Sequence, residues 1–172
     1  MYDVAHSKKE GGGVILEYIL GATKLKMTGA MKRGINLEPD VLHIVKRMKL
    51  NVQKVGVRLS SQFPEFGASP DGLSDDYVIE IKCPEHEKTV KNYIGNNDVI
   101  APKFMAQMQL QIKFCNRSKA LFCVAAPDFE KSKDVKILPV DFNPELTASL
   151  IQKARLYWEK NVFPVLLAAA RC

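Results

Sequence analysis

Two periodicities divide this 172-residue chain. From Tyr77 to Cys83 the period is two: Tyr77, Ile79, Ile81 and Cys83 share one face, and Val78, Glu80 and Lys82 the other, as in a strand. Lys119 to Ala126 is an apolar run of strand length and predicts a buried strand. Val135 to Val140 is expected to pair with it across the polar turn 127–134. Val52 to Ser61, with its β-branched alternation, predicts a further strand ahead of Tyr77. Elsewhere the apolar positions recur at three and four. Val41, Leu42, Val45 and Met48 predict a helix over about 30–49, with a kink at Pro39. A second helix is predicted over 103–114 around Phe104, Met105, Met108 and Ile112. Asn143-Pro144-Glu145 supplies an N-cap and a first-turn proline for a last helix, which reaches about Val162 with Leu146, Leu150, Ala154 and Tyr157 inward. Val14–Leu20 reads as a short packed helix ended by Gly21, after a loose start over residues 1–13. The length predicts one domain over 1–172.

One predicted strand carries charge where a core strand should not. Glu80 and Lys82 lie on the same side, roughly 6.5–7 Å apart along the strand. Ser69-Pro70-Asp71-Gly72 has turn chemistry and places Asp71 at the mouth of a turn that can fold back beside them. A Glu-x-Lys pair standing alone usually marks a solvated face. Here the Pro-Asp-Gly turn and the flanking apolar run put two carboxylates and an amine at one end of a sheet. Unpaired charge there is costly, and hard oxygen ligands around Mg²⁺ or Mn²⁺ would account for it. Asp75-Asp76, in a turn before the strand, reads as solvated.

Two further positions conflict with burial. Glu38 falls on the side of the core stripe of its helix, either as a functional acid or as a first-turn partner of the helix dipole. Gln107 and Gln111 lie one turn apart on a largely apolar helix, where a buried amide needs a partner.

Charge and composition narrow the function. Twenty-five basic residues against 19 acidic ones give a net charge of +6, which favours a polyanionic partner. Lys24, Lys26, Lys32 and Arg33 form a basic stretch leading into the long helix, and Lys88 and Lys91 follow the charged strand. These suit the phosphate backbone of DNA, or simply a solvated face. The four cysteines lack paired zinc spacing, and with no secretory signal the simpler reading is reduced thiols inside a cell. No apolar stretch is long enough to span a membrane. His6, His43 and His86 show no nucleophile–base arrangement, and no phosphate-binding loop motif is present.

Gly67-Ala-Ser-Pro-Asp-Gly72, followed by Ile79-Glu-Ile-Lys-Cys-Pro84, resembles the active-site core of the lambda-exonuclease-like nucleases, the phage and viral recombination exonucleases of the PD-(D/E)XK superfamily. Gly34-Ile-Asn-Leu-Glu38-Pro39 is similar to the family's Gly-x-x-x-Glu-Pro motif, whose glutamate helps bind metal. Phe104-Met-Ala-Gln-Met-Gln109 resembles its aromatic-x-Ala-Gln-x-Gln helix, whose first glutamine reaches the catalytic centre; that selects Gln107 over Gln109 and Gln111. The resemblance covers roughly residues 27 to 141.

It implies an α/β fold with a restriction-endonuclease-like core, a central mixed β-sheet of about four to five strands flanked by helices. Asp71, Glu80, the Ile81 backbone carbonyl and Glu38 are then the expected ligands of two Mg²⁺ or Mn²⁺ ions. Lys82 is expected to orient and deprotonate the attacking water or to stabilise developing charge, and Gln107 to position that water or a phosphate oxygen. The implied activity is 5′→3′ exonuclease digestion of one strand of duplex DNA, in viral or phage-type recombination or genome processing. DNA contacts are expected at Lys24, Lys26, Lys32, Arg33, Ser69, Lys88 and Lys91. A single-strand annealing protein is an expected partner, a homo-oligomer is compatible with the family, and the expected setting is intracellular, at sites of DNA replication. The family's upstream Ser/Arg helix that grips a 5′-phosphate has no match before Lys24. An endonuclease of the same superfamily therefore stays open, as does a non-enzymatic nucleic-acid-binding protein.

Overall fold

The computed structural model describes residues 2–5, 13–21, 26–48 and 50–171. In chain order the elements are α1 (Tyr2–Ala5), α2 (Gly13–Ile19), α3 (Gly29–Lys46), β1 (Arg58–Leu59), β2 (Gly67–Ala68), β3 (Gly72–Leu73), β4 (Tyr77–Lys82) and α4 (Glu87–Tyr93). They continue with α5 (Pro102–Phe114), β5 (Lys119–Ala125), α6 (Phe129–Ser132), β6 (Val135–Asp141), α7 (Pro144–Tyr157) and α8 (Phe163–Ala169). The elements group into two compact units, residues 27–143 and residues 1–26 with 144–172. No helix of the described residues is long and apolar enough to cross a membrane.

The unit of residues 27–143 holds a four-stranded mixed sheet in the order β3-β4-β5-β6. β4 pairs antiparallel with β3 and parallel with β5, and β5 pairs antiparallel with β6. A parallel neighbour requires a crossover, and α4 and α5 lie within that connection. The period-two alternation of β4 is realised in full. Ile79 and Ile81 join the α3 residues Leu37, Val41, Leu42 and Val45 in one buried cluster, with Leu121 and Cys123 of β5. Val78 joins Met108 and Ile112 of α5 in the other, with Ala120, Phe122 and Val124. The sheet is thus flanked by helices, α3 on one face and α5 on the other, which is the expected architecture. Glu80 and Lys82 fall on the α5 face, opposite Phe122 and Val124 of β5.

Thr28 caps α3, its hydroxyl accepting from the Met31 N–H at 3.2 Å. The helix runs on through Pro39, where a kink was expected. Pro39 is exposed, on the side away from the sheet. Met48, expected in the core stripe, lies beyond the helix and is exposed, while Leu37 is buried in its place.

Two further expectations are corrected. The tight turn is at Ser74–Tyr77 and not at Ser69–Gly72: Ser74 N–H donates to the Tyr77 carbonyl at 2.8 Å, and the Ser74 hydroxyl accepts from Tyr77 N–H at 2.9 Å. A serine closing its own turn outweighs the Pro-Asp-Gly signal, so Asp71 sits at the start of a strand. The strand predicted over Val52–Ser61 reduces to a bridge between Gln53 and Leu73 and the two residues of β1, which pairs with β2. Val57 and Leu59 are 64% and 71% exposed; the alternation there has no second layer to cover it, and strand propensity without a packed face is weak.

In the other unit, α7 packs against α1, a helix in the segment expected to be loose. Thr147, Leu150, Ile151, Ala154 and Tyr157 are buried, whereas Leu146 is exposed. The predicted last helix passes through a π-helical turn, Trp158–Val162, into α8. α2 is followed by a turn closed at Gly21, whose φ of 72° suits glycine; its Ile15 and Leu16 are half-buried, whereas Val14, Tyr18 and Ile19 are exposed.

Gly72 of β3 packs against Leu42 of α3 and against Val52. A Cβ there would lie 2.8 Å from Val52 Cγ1 and 2.9 Å from Leu42 Cδ2, both in the core. Gly72→Ala is expected to lower the unfolding free energy by about 1–3 kcal/mol, read from the urea midpoint at unchanged m; an unshifted midpoint would refute this packing.

Candidate active site

Asp71 is placed by main-chain hydrogen bonding. Its own N–H continues the antiparallel ladder, donating to the Ile79 carbonyl at 3.1 Å. One step further along β4, the Ile81 N–H donates to the Asp71 Oδ2 at 2.6 Å. A carboxylate thus stands where the next acceptor of the ladder would be, and β3 pairs no further. The N–H and C=O of one strand residue leave the strand on the same side, so the Ile81 carbonyl is directed to the same edge as the Asp71 carboxylate.

Glu80 is 2% exposed and is held by donors from both sides. Its Oε1 accepts from Lys82 Nζ and, at 2.7 Å, from Gln107 Nε2. Its Oε2 accepts from Gln111 Nε2 at 2.6 Å. Positions 107 and 111 are one helical turn apart and so present both amides to the same strand. Gln109 faces elsewhere, with Nε2 donating to the Asp141 carbonyl at 2.9 Å and Oε1 accepting from Asn143 N–H at 2.7 Å, which ties α5 to the end of β6. Lys82 Nζ also lies 5.4 Å from the centre of the Phe104 ring.

Burial, and next the negative charge of Glu80, push the Asp71 carboxyl up to about 7; the Ile81 N–H and Lys82 oppose this, and Glu38 adds to it. Glu38 is therefore within electrostatic reach of the pair. Its carboxylate accepts from Lys54 Nζ at 2.7 Å, and that bond raises the Lys54 pKa. Among the described residues no three carboxylate, imidazole or thiol groups form a preassembled metal cage. The donor set nevertheless fits a hard divalent cation: Asp71, Glu80, a main-chain carbonyl and Glu38 all offer oxygen, and adjacent carboxylates are stabilised by positive charge. Cys83, next to the site, is a buried thiol pushed up to about 11 mainly by burial, hence a neutral neighbour.

The structure brings Asp71, Glu80, Lys82 and Gln107 together, with Glu38 at the margin. Gln111, which the family resemblance does not select, bonds to the same carboxylate, and Lys54, the partner of Glu38, carries no sequence signal that marks it. The spacing of the two glutamines was readable; that both face β4 was not. Lys24 lies outside the described residues. Lys26, Lys32, Ser69, Lys88 and Lys91 are exposed. Arg33 is used inside the fold: its guanidinium donates to the carbonyls of Pro84 at 3.3 Å and Pro127 at 2.8 Å and pairs with Glu130. It fastens α3 to the segments that follow β4 and β5.

A mixed sheet between helices, with a charged pair on a central strand and an aspartate at the neighbouring strand's end, defines the restriction-endonuclease-like class. Within it, the chain belongs to the YqaJ-like viral recombinase domain family, which residues 7–118 match. A comparison with curated proteins gives no significant match. Among solved structures, the fold is similar to an alkaline exonuclease (LHK-Exo) from Laribacter hongkongensis, at 21% identity and a TM-score of 0.79 over 98% of this chain and 89% of that one. It is also similar to LHK-Exo in complex with dAMP, at 23% identity and a TM-score of 0.75 over 91% and 83% of the two chains. A phage-related exonuclease from Haemophilus somnus 129PT aligns at 13% identity and a TM-score of 0.64, over 91% and 90%.

The Asp71 environment carries a pH signature in the metal-free protein. The folded chain holds the Asp71 proton up to about 7 against an ordinary 3.8, so this group's contribution to stability is lost as pH rises between those values and stays lost above them. With chelator present, Asp71→Asn, which keeps an acceptor for Ile81 N–H, should raise the melting temperature at pH 8 by several °C (about 1–3 kcal/mol). Near pH 4 it should leave it unchanged. Equal melting temperatures at pH 8 would show that Asp71 carries no such cost.

Proposed function

We propose that this chain is a Mg²⁺- or Mn²⁺-dependent deoxyribonuclease that digests duplex DNA from its ends, in the 5′→3′ direction, in recombination or genome processing of viral or phage type. The observation that carries the reading is the convergence of Asp71 and Glu80, one placed by the Ile81 N–H and the other by Gln107 and Gln111, with Lys82 Nζ on the same carboxylate. Family membership and the exonuclease fold support it.

Hydrolysis adds water to the phosphorus, breaks the bond from phosphorus to the 3′-oxygen, and leaves a 3′-hydroxyl and a 5′-phosphate. Divalent cations held by Asp71, Glu80, the Ile81 carbonyl and Glu38 would supply positive charge to the phosphoryl and to the entering and leaving oxygens. Lys82 orients the attacking water and takes or shares its proton; its contact with Glu80 keeps the Nζ at the reacting end of β4. Gln107 holds the Glu80 oxygen that Lys82 also touches, and so keeps carboxylate and amine in fixed relation. Glu38, whose partner Lys54 is exposed and could release it at little cost, would be free to help hold a cation. The exposed Lys88 and Lys91 lie on the helix that follows β4 and meet the DNA backbone.

The test is incubation with Mg²⁺ and either linear or closed circular duplex DNA. Loss of the linear form alone is expected; loss of both would make the protein an endonuclease, and loss of neither would refute the enzyme. Lys82→Ala should reduce turnover by at least about 10²-fold while DNA binding persists in gel shift. Glu38→Gln should raise the Mg²⁺ concentration needed for half-maximal rate with little change in melting temperature. Wild-type rates in either variant would remove its assigned role.

A further inference from the structure

Gln111 makes hydrogen bonds that core packing does not require. It is 2% exposed, and its Nε2 bridges two segments, donating to Glu80 Oε2 at 2.6 Å and to the Ser69 carbonyl at 3.3 Å. Ser69 stands two residues before Asp71. One amide therefore links the segment that carries Asp71 to the side chain of Glu80. Glu80 Oε1 has two donors, Lys82 and Gln107, whereas Gln111 is the donor at Oε2. The Gln111 Oε1 is buried without a hydrogen-bond partner, the one such side-chain atom among the described residues. An acceptor left in this state is unfavourable unless a further group comes to it.

We propose that Gln111 is a positioning residue that sets the separation of the Asp71 and Glu80 carboxylates, and through it the affinity of the site for a divalent cation. The inference rests on the cation-binding reading above. Its Nε2 ties the Glu80 carboxylate to the main chain two residues before Asp71, a bridge for which Gln107 and Lys82 show no counterpart. Its Oε1 is then the acceptor reserved for a water that enters with a hydrated cation, since Mg²⁺ retains much of its hydration when bound by carboxylates. Mutation of such supporting partners typically weakens metal binding 10- to 100-fold, on the order seen in other sites.

The experiment is a calorimetric titration of Mn²⁺ into the full chain freed of metal by chelation, comparing wild type, Gln111→Met and Gln107→Met. The expected result is Mn²⁺ uptake by wild type, binding weaker by about tenfold or more in Gln111→Met, and a smaller loss in Gln107→Met, whose Glu80 oxygen keeps Lys82. No uptake by wild type would sink the cation reading and this inference with it. Uptake by wild type with equal affinity in Gln111→Met would overturn the inference alone. Equal weakening in both variants would place the effect in the solvation of Glu80 and overturn the bridge. Should Gln111→Met not fold by circular dichroism, the wild type decides: the Gln111 side-chain amide resonances shift when Mg²⁺ is added, and unmoved resonances refute the proposal.

Discussion

An acidic side chain enclosed by its own sheet and a covering helix is tolerated only if its oxygens are hydrogen-bonded. Glu80 imposes that condition on everything around it. β4 must turn its even positions toward α5, α5 must place polar residues one turn apart in an otherwise apolar face, and Lys82 must fold back over the strand. Gln107, Gln111 and Lys82 meet the demand. The apolar neighbours Met108, Ile112, Phe122 and Val124 keep α5 seated closely enough for the two amides to reach.

The second carboxylate arrives by a different route. Asp71 is not drawn in by packing but by the main chain, because the Ile81 N–H lies beyond the last paired residue of β3 and needs an acceptor. The aspartate supplies it and ends the strand in one step. Side chain and backbone thus register β3 against β4 so that two acids with opposite reasons for being there become neighbours. Their mutual repulsion is visible in the raised proton affinity of Asp71. A fold that maintains such a conflict stores electrostatic energy that a cation would release, as sites built for charged ligands do.

Several sequence signals translated directly and others did not. The alternation of Tyr77–Cys83 mapped residue for residue onto the two faces of β4, because a strand's side-chain period admits no other arrangement once both faces are covered. The apolar run at Lys119–Ala125 became the central partner strand for the same reason. Val52–Ser61 carried an equally good alternation and yielded almost no strand, since no layer lies over Val57 and Leu59. The Pro-Asp-Gly segment had the composition of a turn, yet the turn formed five residues later, where Ser74 could close it. Arg33 had the composition of a phosphate ligand and became an internal fastener, because three carbonyl or carboxylate groups distant in sequence converge on it.

The residues by themselves determined the family, the mixed α/β class, and the identity of the charged strand, since each of these is written in local spacing and in short motifs whose chemistry is contiguous. What only the tertiary structure decided was which glutamines face Glu80, that Lys54 answers Glu38, that Asp71 completes a strand edge, and that Arg33 is bonded to Pro84, Pro127 and Glu130. Each of these depends on contacts between residues 10 to 97 positions apart. Their geometry is set by how helices seat on a sheet, and one-dimensional spacing carries no record of that.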